Sequence, residues 1–136
     1  EDQVVSTPND LGWRNKRVLL VEDGPTNQIV VQAMLKDTGY LVDIAQNGSE
    51  AIVAVKSFPY DIVLMDIYMP EMDGVEATQH IRQHTTELPI VALTANAMPG
   101  DRERFIAAGM NDYLPKPVNR NALIGMLYKH LSSVAV

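Results

Sequence analysis

The sequence predicts an α/β protein, a five-stranded parallel sheet with helices on both faces. Three observations carry that expectation. Five short apolar runs alternate with five stretches of helical spacing along the chain, the pattern of repeated strand–helix units. Val18–Val21, Asp61–Met65 and Ile90–Leu93 contain unbroken apolar stretches, as strands buried on both faces require. The length of 136 residues is one domain's worth, enough to bury roughly 68% of the unfolded surface.

Residues 1–16 are polar, carry Pro8 and Gly12 and hold no sustained period, so they read as a linker or lead-in. Trp13 is the large apolar group of that segment, a candidate anchor onto the domain 17–133. Val18–Val21 is the first strand. A turn with Gly24 and Pro25 follows, and the helix expected over Asn27–Thr38 sets Val30 over Met34 and Val31 over Leu35, closing at Gly39. Leu41–Ala45 is the second strand, and a helix runs from the Asn47-Gly48 turn through about Ser57. Asp61–Met65 is the third strand, stopped by a loop with Pro70, Asp73 and Gly74. Val75–His84 reads as a helix, Ile90–Leu93 as a strand, and the next helix runs from about Pro99 to Gly109. Asp112–Leu114 is a brief last strand. Asn119–Leu131 is the last helix, with Leu123, Leu127 and Leu131 in register. Right-handed crossovers and a flavodoxin-like strand order are expected.

Composition narrows the function. A formal charge of -6 argues against direct nucleic-acid binding, which needs a basic surface. No apolar run approaches the ~18 residues of a membrane span. The chain has no cysteine, which removes disulfides and thiolate chemistry and fits a reducing compartment. It opens on Glu1 without a signal-peptide pattern, and reads as a cytoplasmic domain of something longer.

In a doubly wound sheet, ligands bind beyond the carboxyl ends of the strands. Strand one ends in Glu22-Asp23, strand three in Asp66 and strand four in Thr94, while Lys116 follows strand five. Three carboxylates brought together raise one another's pKa unless a cation intervenes. A hard divalent ion with oxygen ligands, Mg²⁺, resolves this. Asp66 is the central acid and the natural nucleophile, because carboxylates form acyl-phosphates. Phosphoryl transfer asks chiefly for in-line positioning and positive charge on the equatorial oxygens. Mg²⁺, Lys116 and the Thr94 hydroxyl with a backbone N–H can each take one.

Four segments, VLLVEDGPTNQ, DIVLMDIYMPEMDGVEAT, PIVALTANA and DYLPKPV, closely resemble receiver domains of response regulators and hybrid histidine kinases. The resemblance covers about residues 17 to 130. It implies that Asp66 is the phosphoacceptor and that Glu22 and Asp23 hold Mg²⁺ together with Asp66 and the backbone carbonyl of Tyr68. It implies that Thr94 moves toward the phosphoryl group, that Lys116 pairs with it, and that the Lys116-Pro117 bond is cis. Tyr113 matches an aromatic that changes rotamer with Thr94. The implied partners are a histidine kinase core, a histidine phosphotransfer protein, or both. The domain is expected to be a monomer or weak dimer without membrane contact, and a phosphoacceptor rather than a turnover enzyme. LTANAM and MDGVEAT resemble receivers of hybrid kinases in particular, which places the domain in the cytoplasm, free or as the cytoplasmic part of a membrane-bound sensor kinase. Gly24 departs from that pattern, since such hybrids often carry Asn there.

Two other functional classes compete. A phosphorylation-independent interaction module would not need the intact carboxylate, hydroxyl and lysine set. A small-molecule phosphatase would want a second acid and a lid near the nucleophile, and Ile67-Tyr68 offers neither. A flavin site on this topology would set three acids against the flavin phosphate. Tyr113 reads equally as a structural aromatic. Tyr68 and Asn96, each two residues past a site residue, fit either water control or a partner interface. His80 and His84 have the i,i+4 spacing of metal ligands but lack a third, and read as a solvated helix face. Met65, Met69 and Met72 read as core and loop packing.

Overall fold

The computed structural model describes residues 15–95 and 98–131. The expected anchoring role of Trp13 and the residue Asn96 lie outside the described residues, as do the domain's last expected residues, 132 and 133. The elements are β1 (Arg17–Val21), α1 (Pro25–Leu35), β2 (Leu41–Ala45), α2 (Gly48–Ser57), β3 (Ile62–Asp66), α3 (Gly74–His84), β4 (Ile90–Thr94), α4 (Asp101–Ala108), β5 (Asp112–Pro115) and α5 (Arg120–Leu131).

All four strand pairings are parallel, in the order β2-β1-β3-β4-β5. This is the expected flavodoxin-like arrangement, with β1 and β3 side by side where the direction of strand addition reverses. The apolar runs are explained by the pleat, which turns successive side chains to opposite faces. Leu19, Val21, Val63, Met65, Ile90 and Ala92 pack with α2, α3 and α4 through Ala51, Val55, Ala77, Ile81 and Phe105. Val18, Leu20, Ile62, Leu64, Val91 and Leu93 pack on the other face against Val31 and Leu35 of α1 and Leu123, Leu127 and Leu131 of α5. Burial on both faces leaves no alternation of polar and apolar residues in these three strands.

Helix ends differ from expectation by a few residues, for local reasons. Helix α1 starts at Pro25, whose missing N–H costs nothing in a first turn. It stops at Leu35 because Lys36 turns extended and Asp37 takes φ 69°. Thr38 lies outside the helix, its hydroxyl donating to the Leu35 carbonyl at 2.6 Å. Helix α4 starts only at Asp101, after Gly100 at φ 92°. The Asn47 and Asp73 side chains cap α2 and α3 by accepting from the N–H groups of Glu50 and Glu76, satisfying donors that a helix start leaves open.

Tertiary hydrogen bonds fix the sheet edges. The Arg82 guanidinium donates to the Gly109 carbonyl at 2.8 Å and to Asn111 Oδ1 at 2.9 Å. Asn111 Oδ1 also accepts from the Ile90 N–H at 2.8 Å. Helix α3, the start of β4 and the turn before β5 are thereby tied at one point.

Leu64 is fully buried in the sheet centre, whereas Ile29 is 65% exposed on α1. Leu64→Ala is expected to cost about 3 kcal/mol through lost transfer energy and a residual cavity, and Ile29→Ala less than about 0.5 kcal/mol. Urea unfolding of the two variants checks the contrast.

Candidate functional site

The carboxyl ends of β1, β3 and β4 and the segment after β5 meet at one rim. Glu22 follows Val21, Asp66 ends β3 and Thr94 ends β4. Tertiary packing has taken all three out of solvent, at 2%, 3% and 0% exposure respectively. Asp23 remains exposed. One carboxylate oxygen from each of Glu22, Asp23 and Asp66 lies within 4.8 Å of the others. The rim therefore gathers the expected acids.

Lys116 answers this charge from the end of β5, the edge strand beside β4. Its Nζ donates to Asp66 Oδ1 at 3.0 Å and to Glu22 Oε1 at 3.1 Å. The turn that delivers it contains the cis Lys116-Pro117 bond expected from the resemblance. The Lys116 N–H donates to the Thr94 carbonyl at 2.8 Å, so the hydroxyl residue and the lysine share the seam between β4 and β5.

The electrostatics follow from burial. Desolvation pushes the Asp66 carboxyl up to about 6; the Lys116 hydrogen bond pulls it down, and the Glu22 charge adds to the rise. For Lys116, burial alone would lower the pKa, but its bonds and attraction to Asp66 and Glu22 outweigh that and hold the ammonium above its ordinary value. One lysine thus offsets part of the repulsion among three acids. The remaining demand is for a cation with oxygen ligands, and the donor set fits Mg²⁺.

Several supporting contacts were not evident from sequence. Glu22 Oε2 accepts from the Gly24 N–H at 3.1 Å and from Asn27 Nδ2 at 3.4 Å. The Glu22 carbonyl accepts from Gln28 Nε2 at 2.7 Å. Asn27 and Gln28 stand within VLLVEDGPTNQ, in the first turn of α1, and nearness to the acid in sequence is the one signal that pointed to them. Gly74 is the second omission. Its N–H donates to the Ile67 carbonyl at 2.8 Å, and a Cβ there would collide with the Asp66 carbonyl oxygen and crowd Met65. The start of α3 therefore fits against Asp66 only with glycine.

Tyr68 is 53% exposed, with its N–H 3.4 Å from Asp66 Oδ1. Tyr113 is half-buried and packs toward the α4 side, its ring centroid 6.2 Å from that of Phe105. His80 and His84 are exposed on α3, apart from the acidic rim. Met65 and Met69 are buried and Met72 packs against the same core, as expected of packing residues. No helix among the described residues is long and apolar enough to cross a membrane.

Fold and site together define a doubly wound α/β domain whose carboxyl rim carries an acidic cluster, two of its three acids buried, countered by Lys116. The chain belongs to the response regulator receiver domain family, whose model matches residues 18–128, and so to two-component signal transduction. It is 43% identical over 124 residues to the sensor histidine kinase GacS of Pseudomonas protegens, covering 88% of this chain. The chain spans only 14% of that kinase's length and 7% of a similar hybrid histidine kinase of Dictyostelium discoideum. Among solved structures, it resembles the receiver domain of sensor histidine kinase PA1611 from Pseudomonas aeruginosa, which has a magnesium ion coordinated in its active-site cleft. The TM-score is 0.81 at 45% identity, covering 88% of this chain and 99% of that one. A Saccharomyces cerevisiae complex of the histidine phosphotransfer protein Ypd1 with the receiver domain of Ssk1 matches at TM-score 0.84 and 30% identity, covering 91% and 94%.

The raised Asp66 pKa has a stability consequence. A carboxyl whose native pKa lies above its unfolded value contributes stability below the unfolded pKa and loses it as pH rises through the native one. Here the window runs from about 4 to about 6. Without metal, Asp66→Asn is expected to stabilise the protein at pH 7 by about 1 to 3 kcal/mol and to be nearly neutral at pH 4. Urea unfolding in EDTA at the two pH values checks the sign.

Proposed function

We propose that this receiver domain accepts a phosphoryl group on Asp66 from a phosphohistidine donor, with Mg²⁺, and answers by changing a partner-binding surface. The observation that carries the reading is the buried Asp66 carboxylate held between two further acids and an ammonium 3.0 Å away. Glu22, Asp23, Asp66 and the Tyr68 backbone carbonyl would hold the ion, which when bound supplies positive charge to the phosphoryl oxygens. An Asp66 carboxylate oxygen forms the new bond to phosphorus as the bond from phosphorus to the donor imidazole nitrogen breaks. Lys116 is positioned to follow the charge from the free carboxylate to the transferred group. The Thr94 hydroxyl supplies a further hydrogen bond, and Tyr113, beside Phe105 of α4, relays the rearrangement to the surface around α4, β5 and α5. Phosphorylation biases an existing two-state equilibrium rather than building a new fold.

Its donors and acceptors are a histidine kinase core, a histidine phosphotransfer protein, or both. Similarity to receivers of hybrid kinases and to the Ssk1 receiver in its complex supports this. Exposed Ile29 and Val30 on α1, with Val30, Pro117 and Val118 lining a cleft beside Glu22 and Lys116, give such a protein an apolar landing surface next to Asp66. The domain 17–133 acts as a phosphoacceptor rather than a turnover enzyme, as a monomer or weak dimer. It works in the cytoplasm, free or as the cytoplasmic part of a membrane-bound kinase.

Acetyl phosphate with Mg²⁺ tests the assignment. The wild type is expected to gain one base-labile phosphoryl mass increment, absent from Asp66→Asn and from the wild type in EDTA. Equal labelling of Asp66→Asn would refute the site. Lys116→Ala is expected to slow labelling by about a hundredfold, the typical cost of removing one preorganised donor, read by intact-mass time courses. Partner binding that survives both Asp66→Ala and EDTA unchanged would favour a phosphorylation-independent module.

A further inference from the structure

We propose that His80 and His84 form a second metal site, a two-imidazole chelate for a borderline transition ion such as Zn²⁺, Ni²⁺ or Cu²⁺. The site is chemically separate from the carboxylate rim, and the proposal does not depend on the phosphoacceptor reading. Both histidines lie on α3, and residues four apart on a helix stand one above the other on the same face. Both line one polar cleft of about 310 Å³, shared with Gln83 and with Ile52 and Lys56 of α2. Both are exposed. Among the described residues neither imidazole carries a side-chain hydrogen bond or ion pair, so both rings keep a nitrogen available. His130 differs, because its Nε2 is already engaged with Asp112 Oδ2 at 3.2 Å.

Two physical arguments favour a transition ion there. Imidazole nitrogen suits zinc, copper and nickel, whereas the rim offers only hard oxygen ligands suited to magnesium. The two sites therefore select different metals. His84 is also the last residue of α3, where the partial negative charge of the helix carbonyl end attracts a cation. The rim touches the opposite end of this helix, at Gly74. His84 lies ten residue steps along the helix from Gly74, roughly 15 Å at the α-helical rise, so the ions would not compete for ligands. The described residues supply no third carboxylate or imidazole. Water and the Gln83 side chain are left to complete the coordination.

Lys56 makes the proposal sharp. Its ammonium shares the cleft and opposes a bound cation, so its removal should help a metal and hinder an anion. The test is calorimetric titration of Zn²⁺ into the full chain with saturating Mg²⁺ present. One Zn²⁺ per chain is expected. His80→Gln and His84→Gln should each weaken binding at least tenfold while leaving the metal-free unfolding temperature unchanged, and Lys56→Gln should tighten it severalfold. Absence of saturable binding, or binding indifferent to both histidine variants, overturns the proposal. Weaker Zn²⁺ binding by Lys56→Gln overturns it too, because the lysine would then be contributing to the site rather than opposing the ion.

Discussion

The crowding of Glu22, Asp23 and Asp66 is the constraint on which the rest of the site depends. Carboxylate oxygens within 4.8 Å of one another, two of them on nearly fully buried residues, repel strongly in a medium that screens poorly. Left alone, such a cluster would protonate or splay apart. It holds because it is anchored at the ends of two adjacent strands in the middle of the sheet, β1 and β3, which are buried on both faces. Among the described residues Lys116 adds the counter-charge, reaching Glu22 and Asp66 from 94 and 50 residues away in sequence. Apolar burial elsewhere offsets an arrangement that is itself unfavourable without a cation.

The same packing sets what surrounds the acids. Helix α3 begins directly against Asp66, and only a glycine at position 74 permits that approach. On the other side, β4 and β5 pair Thr94 with Pro115, and the Thr94 carbonyl takes the Lys116 N–H. Displacing Thr94 would therefore disturb the backbone that carries the lysine. Tyr113 sits on the same β5 strand and Phe105 on α4, so the seam also joins the rim to a surface helix. Pairing across β4 and β5 makes the hydroxyl, the lysine and the aromatic parts of one unit.

Much of this was legible in the sequence because strand endings are strong signals. An apolar run that stops abruptly at a carboxylate or hydroxyl marks both the strand and the rim, so Glu22, Asp66 and Thr94 were placed without side-chain geometry. Helix limits were less legible. Local backbone conformations at Asp37 and Gly100 decide where α1 stops and α4 starts, and side-chain periodicity does not register them. The Glu22 contacts with Asn27 and Gln28 were missed for a different reason. They depend on how the first turn of α1 is aimed back at the strand end, which tertiary packing decides. The two-imidazole spacing was visible, but the wall formed by α2 opposite it was not.

The first acid also shows how a departure from the hybrid-kinase pattern is accommodated. Glutamate is one methylene longer than aspartate, and its extra reach must be controlled if the carboxylate is to stay at the rim. Here Oε1 turns inward to Lys116 while Oε2 is held by the Gly24 N–H and by Asn27. A Cβ at position 24 would stand 3.3 Å from Oε2 and 3.4 Å from Asn27 Nδ2, closer than most such contacts. A side chain at 24 would require the Glu22 and Asn27 side-chain ends to give by a few tenths of an ångström. Glycine at 24 and glutamate at 22 are therefore compatible as a pair: the absent side chain leaves the backbone N–H and the Asn27 amide room to position the longer acid. The Gly24 backbone N–H and Asn27, in the first turn of α1, supply the hydrogen bonds that hold Oε2.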